Sequence, residues 1–298
     1  MNFLSRIFGK QSQQQKEDTI FSSSPLEALG ERQVLTDAPY VLPKDTQEIS
    51  RLDFQHFLLR QAFQSNYLSP ITQPKDILDV GAGTGRWADE MAQAFPQAFV
   101  TGCDLVEQTT DKRFKQPNYR FVEADVLKGL PFRDRSFDFV HQRLLFLAIP
   151  AHAWPSELLE LVRVARPGGW IELVESEIQA RNAGPATQRM GQWIIEVSKR
   201  RGIDSSQVPH LGTYLNNAGL QNVVTRSVTV PMGQWGGRVG SMMAANINSA
   251  YQAMKPLITS QLGISPEEYE KNILLQRQEW EELHSASVFY AAYGQRPH

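Results

Sequence analysis

One cysteine, Cys103, stands in 298 residues, so no disulfide can form within the chain and no cysteine-rich zinc site can be assembled. Nothing calls for an oxidising compartment, and a cytoplasmic protein is expected. An excess of one charge is also lacking: 30 Lys and Arg against 32 Asp and Glu leave a formal −2. That balance gives nucleic-acid phosphates no global attraction and disfavours nucleic acid as a partner. Long apolar runs are missing too, the longest being short stretches such as Leu144 to Ile149, so no transmembrane span is expected. Phe3, Leu4, Ile7 and Phe8 share one helical side near the start, in a stretch too short for a secretion signal; it reads as a frayed terminus, with a weak peripheral anchor as the alternative. There is no internal repeat, and oligomeric state leaves no signal.

What is present is organised. Residues 1–38 are rich in Gln, Ser and charge and read as a mobile leader before a domain spanning 39–298. Asp45 and Glu48 resemble a capping box, followed by Ile49, Leu52, His56, Leu59 and Phe63 at helical spacing and a stop before Ser69-Pro70. Strands are then predicted at Ile77 to Val80, Phe99 to Asp104, Tyr119 to Val122, Phe137 to His141 and Trp170 to Glu175, alternating with helices at Trp87 to Phe95 and Ser156 to Ala165. Such alternation builds a doubly wound α/β sheet. Beyond Glu177 the pattern gives helices at Thr187 to Arg201 and Leu211 to Ala218, a strand at Val223 to Val230, a helical insertion at about 232–284 and a last strand at Ser287 to Tyr293.

The chemistry sits in Asp79-Val80-Gly81-Ala82-Gly83-Thr84-Gly85, between the first predicted strand of this core and its helix. Glycines there let the backbone turn tightly and approach a ligand, while the N–H groups of the helix start face it. The spacing is G-x-G-x-G; the dinucleotide pattern G-x-G-x-x-G would need glycine or alanine where Arg86 stands. Asp104 ends the second strand 19 residues after Gly85, placed to accept two ribose hydroxyls. Asp125 follows the third strand.

With these segments, and with Glu123-Ala124-Asp125, Ser136-Phe137-Asp138-Phe139-Val140 and Arg163-Val164-Ala165-Arg166-Pro167-Gly168-Gly169, the chain resembles the class I S-adenosylmethionine-dependent methyltransferases across about 75–176. The resemblance implies a Rossmann-like sheet of seven strands with the last antiparallel, and S-adenosyl-L-methionine as cofactor. It implies that Gly81, Ala82, Gly83 and Gly85 hold the methionine end and that Asp79 orients its amino group. Asp104 would take the ribose, Leu105 would pack on the adenine, and Asp125 with Val126 would address the adenine edge. Leu42-Pro43-Lys44-Asp45, Arg51-Leu52-Asp53-Phe54-Gln55-His56 and Ala291-Ala292-Tyr293-Gly294-Gln295-Arg296-Pro297 are similar, more loosely, to fungal secondary-metabolism regulator methyltransferases and their bacterial relatives. In that subgroup the leading helix covers the cofactor, so Arg51 or Gln55 would reach its carboxylate, a surface salt bridge being the alternative for Arg51.

For the acceptor, His141 and Gln142 sit at the carboxyl end of the fourth strand, where open α/β sheets bind ligands, and strand alternation lets only one face the cofactor. His141 is the candidate base, with a hydrogen-bonded structural role as the alternative; Gln142 is counted among the cofactor contacts. His56 reads as a core histidine, and Glu175 either faces the substrate or caps the sheet. The insertion offers Trp235-Gly236-Gly237 as a hinge and Met242, Met243, Tyr251, Met254 and Trp280 as a substrate roof or as ordinary helix packing. The expected activity is methyl transfer to a small, partly apolar metabolite, the alternatives being a protein or RNA methyltransferase or a cofactor-binding regulator without turnover.

Overall fold

The computed structural model describes residues 26–29, 32–35, 46–107 and 116–298. A short antiparallel hairpin, β1 (Leu26–Leu29) with β2 (Arg32–Leu35), stands within the segment read as leader, whose pairing the Gln- and Ser-rich composition hides. The rest of that segment, Tyr40 to Pro43 and the Asp45 cap lie outside the described residues. Helix α1 (Thr46–Phe63) follows.

The core runs β3 (Asp76–Val80), α2 (Arg86–Ala94), β4 (Phe99–Asp104), β5 (Tyr119–Glu123), β6 (Phe137–Arg143), α3 (Trp154–Val164) and β7 (Ala165–Ser176). Then come α4 (Pro185–Lys199), α5 (Leu211–Asn217), β8 (Gln221–Pro231), α6 (Gly237–Leu262), α7 (Pro266–Glu282) and β9 (Ala286–Gln295). These seven strands form one sheet in the order β5-β4-β3-β6-β7-β9-β8. β3 to β7 pair in parallel, and β9 runs antiparallel to both β7 and β8, so six strands share one direction and β9 alone is reversed. The chain winds outward from β3 to β5 and then returns to β6 on the other side of β3. That reversal opens a crevice at the carboxyl ends of β3 and β6, the place where such sheets bind ligands.

Side chains divide between two covered faces because strand residues alternate. Ile77 and Phe139 pack with Trp87, Met91 and Val100 on the α2 side. Leu78, Val80 and Val140 pack with Leu158, Leu161 and Leu215 on the α3 and α5 side. A third cluster joins α1 to the late elements through Leu58, Leu59, Met232, Met243, Trp280 and Phe289, so α1 and α6 cover the carboxyl end of the sheet. Helix α7 starts at the Ser265-Pro266 signal, the Ser265 hydroxyl accepting from the Glu268 N–H at 3.1 Å.

β6 and β7 are among the strands that run longer than their sequence pattern. β6 continues through Gln142 and Arg143, which pair with Leu173 and Val174 of β7. β7 begins at Ala165, through the Pro-Gly-Gly turn, with a register shift between Phe137 and Phe139. Polar and glycine residues mask both extensions, and neighbouring strands supply the pairing.

Candidate active site

Beyond Val80 the chain turns through three residues in the left-handed region, Gly81 (φ +70°), Gly83 (φ +54°) and Gly85 (φ +75°). The N–H groups of Gly81 and Ala82 donate to the Cys103 carbonyl of β4, both at 2.9 Å, and fix the turn against the next strand. Neighbouring atoms explain two of the glycines: a Cβ on Gly81 would lie 2.8 Å from Leu145 Cδ1, and one on Gly85 would lie 2.8 Å from the Tyr119 hydroxyl. Gly83 is different, since nothing comes nearer than Leu52 Cδ1 at 3.6 Å. Its N–H donates to Asp104 Oδ2 at 2.9 Å, and Asp104 Oδ1 accepts from the Leu105 N–H at 2.7 Å. The carboxylate ending β4 is thereby turned onto the glycine turn.

A cavity of about 290 Å³ opens there. It brings together Arg51, Asp79, Gly81, Ala82, Gly83, Asp104, Leu105, Asp125, Val126 and His141 of the sequence-predicted set. Gly85 is not on its wall; it admits the Tyr119 ring, and its place in the motif is structural. Gln142 is also absent from the wall and corrects the expectation of a cofactor contact. It projects to the opposite face of the sheet from His141, fully buried on the side of Glu157 and the α3 core.

Asp79 Oδ1 lies 2.9 Å from His141 Nδ1, the two residues being register partners on β3 and β6. The His141 ring stacks on Trp87 with centroids 3.8 Å apart, and only 1% of the residue is exposed. This is the geometry of a hydrogen-bonded residue that fixes a carboxylate rather than of a base open to an acceptor. Asp125 caps a short turn by accepting from the Leu127 N–H at 3.0 Å and pairs with Lys128 at 3.1 Å. Arg51 is buried, its Nε and terminal nitrogen on the two Glu48 oxygens at 2.8 and 2.5 Å, with Asn246 of α6 at 3.2 Å. Thr84 reaches Asp53 of α1 at 2.7 Å, so α1 is tied both to the glycine turn and to α6.

Glu175 neither faces the cavity nor merely ends the strand. Buried completely, it accepts from the Leu145 and Phe146 N–H groups at 2.9 and 3.2 Å and so holds the loop after β6 against the turn. The roof expected from the insertion is formed in part: Met243, Tyr251 and Met254 of α6 line the cavity, whereas Met242 and Trp280 pack in the α1 to β9 cluster. The expected hinge is pinned, because Glu281 accepts from the Gln234 and Trp235 N–H groups at 2.6 and 3.0 Å.

Trp87 and Arg143 are among the residues of the wall that the sequence pattern does not mark. Arg143 lies two residues beyond His141, on the same face, as the period of two requires once β6 extends past His141. It donates to His56 Nδ1 at 3.1 Å, and His56 Nε2 faces Glu90 at 3.2 Å. Burial holds His56 below its ordinary pKa despite Glu90. Burial alone would raise Glu90, but His56, Asn66 and Arg60 outweigh it and bring that carboxyl down to about 2.

The strand order and a glycine turn faced by the carboxylate of the adjoining strand define a Rossmann-like methyltransferase core. A family profile described as a methyltransferase domain matches residues 77–169. Methyltransferase pytC of Aspergillus terreus is 31% identical over 244 residues, 77% of this chain and 74% of that protein. The N-methyltransferase sirN of Leptosphaeria maculans is 27% identical over 88% of this chain and 96% of its own length. The secondary metabolism regulator laeA of Aspergillus flavus is 28% identical over 66% of this chain and 54% of that protein. The chain belongs to the class I S-adenosylmethionine-dependent methyltransferases, related to those of fungal secondary metabolism, and its cofactor is S-adenosylmethionine. The residues fit that group: a Cβ on Gly83 would project into a loosely filled part of the cavity, 3.6 Å from Leu52 Cδ1, and the carboxylates of Asp79 and Asp104 on the same wall are acceptors of the kind that amino and hydroxyl hydrogens need. Among the described residues no helix is long and apolar enough to cross a membrane.

Proposed function

We propose that the chain methylates a small, partly apolar acceptor. The supporting observation is the continuity of the cavity: it runs from the glycine turn and Asp104 into a chamber walled by Ile178, Ile194, Met232, Met254 and Phe289 under α6. Such a chamber suits an apolar body with few polar groups. The bound cofactor supplies a sulfonium methyl, which an acceptor lone pair takes in line while the carbon–sulfur electron pair remains on sulfur.

In this reading Gly81, Ala82 and Gly83 give backbone room to the methionine end and Asp79, steadied by His141, orients its amino group. Asp104 receives the ribose hydroxyls, Leu105 packs on the adenine, and Asp125 and Val126 address its edge. Arg51 closes the carboxylate end from α1. The protein's contribution is then positioning and exclusion of water rather than a dedicated base.

Methyl-labelled S-adenosylmethionine incubated with the full chain and a cell extract is expected to pass its label to a low-molecular-weight product that separates from the unreacted cofactor. Label confined to protein or RNA would overturn the acceptor class, and no label with intact S-adenosylhomocysteine binding would mark a regulator without turnover. Asp104→Ala is expected to weaken S-adenosylhomocysteine binding by ~1.5 to 3 kcal/mol in calorimetry, the scale of charge-assisted hydrogen bonds. Unchanged affinity would remove the ribose assignment.

A further inference from the structure

Arg143 ends β6 on the face that carries Asp79 and His141, and it lines the same cavity as the glycine turn and the apolar chamber residues. A guanidinium keeps its charge at any working pH, even where burial lowers its pKa as here. Among the described residues its hydrogen-bond partner is His56, and no carboxylate lies within 4.0 Å of it. Two further arginines line this wall, Arg51, which is paired with Glu48, and Arg86, which lies 3.9 Å from Asp53.

The acids nearest Arg143 are committed elsewhere. Asp79 holds His141 at 2.9 Å, and Glu172 accepts from the Leu68 and Ser69 N–H groups and the Ser69 hydroxyl at 2.7 to 2.8 Å. Glu90 is engaged by Arg60, Asn66 and His56. The carboxylates of Asp79, Glu172 and Glu90 therefore offset the charge at a distance without filling the hydrogen-bonding fork. A neutral histidine on one arm orients the guanidinium, which leaves donors for an incoming anion.

We infer that Arg143 receives an anionic group of the acceptor, a carboxylate or an ionised acidic hydroxyl, at the mouth of the chamber. The inference rests on the small-acceptor reading of this same cavity and adds a substrate class to it. A protonated amine is repelled at this place by the guanidinium and by the sulfonium together. The acceptor is thus an organic acid or acidic phenol with an apolar body, although sirN is named an N-methyltransferase.

The test uses the full chain saturated with S-adenosylhomocysteine and titrated calorimetrically with benzoate, 4-nitrophenolate, benzamide and benzylamine. Benzoate and 4-nitrophenolate are expected to bind roughly tenfold or more tighter than benzamide and benzylamine. Arg143→Met is expected to erase that preference, and Arg143→Lys to keep part of it, with S-adenosylhomocysteine affinity within about threefold of the original in both. Equal binding of benzoate and benzamide to the unmodified chain, or no binding of either anion, would overturn the inference. So would an Arg143→Met variant that loses S-adenosylhomocysteine affinity while keeping the acid preference, since Arg143 would then hold the cofactor's own carboxylate. Failure of the unmodified chain to bind S-adenosylhomocysteine would instead strike the methyltransferase reading itself.

Discussion

At the scale of single residues, the glycine turn separates two demands that the sequence motif merges. Gly83 faces the ligand space, whereas Gly85 answers to the protein: it begins α2 at φ +75° and lies against Tyr119. An alanine there meets two costs, a left-handed backbone at roughly 1–2 kcal/mol and a contact 2.8 Å from the Tyr119 hydroxyl. Gly85→Ala is expected to destabilise the fold by about 2–4 kcal/mol in urea unfolding. Adding Tyr119→Phe removes the atom in the way and should return the steric part, leaving roughly 1–2 kcal/mol from the backbone. Equal losses in the single and double variants would show that the crowding is relieved some other way.

At the scale of elements, α1 is held over the sheet end by polar links as well as by Leu58 and Leu59. Arg51 and Glu48 are 6% and 1% exposed, so removing one partner strands a charge away from water. Arg51→Met is expected to cost about 3 kcal/mol in chemical denaturation. Arg51→Met with Glu48→Leu should cost much less, because a buried pair replaced by apolar side chains is close to neutral. A double variant as unstable as the single one would mean that Glu48 is anchored independently of Arg51.

The same elements show what a sequence can carry. Strands β3 and β4 and the turn between β3 and α2 are legible because burial on both faces demands continuous apolar runs and the turn demands glycine. The last strand's antiparallel direction came only with the family resemblance. The apolar pattern of β6 ends at His141, whereas Gln142 and Arg143 continue the strand because Leu173 and Val174 of β7 pair with them. Arg143 therefore lies beyond the legible strand, although alternation from His141 assigns its face once the strand extends to it. The role of Glu175 is not legible in the sequence, because its partners are backbone N–H groups of Leu145 and Phe146, about thirty positions away in the chain but adjacent in the fold.

At the scale of the whole molecule, two carboxyl groups make stability depend on pH in an unusual direction. Glu157 of α3 and Glu175 of β7 are 2% and 0% exposed, and burial pushes each carboxyl up to about 8, with Glu175 adding to the rise at Glu157. In the unfolded chain both return to the ordinary value of 4.5. Between these limits the folded state holds protons that the unfolded state has released, so stability is complete below 4.5 and falls as pH rises toward about 8. The loss approaches ~1.4 kcal/mol per pH unit for each independent group, and less for the interacting pair. His56 acts in the opposite sense, its lowered pKa removing stability only below the usual histidine range, so the interval from about pH 6.5 to 8.5 isolates the carboxyls. Thermal melting of the full chain is expected to fall by several degrees across that interval. Glu157→Gln, which keeps the shape and cannot ionise, should flatten the slope and melt higher than the unmodified chain at the alkaline end. A melting temperature independent of pH over this range, or a Glu157→Gln variant with an unchanged slope, would show that these two acids are ionised in the native core and balanced there.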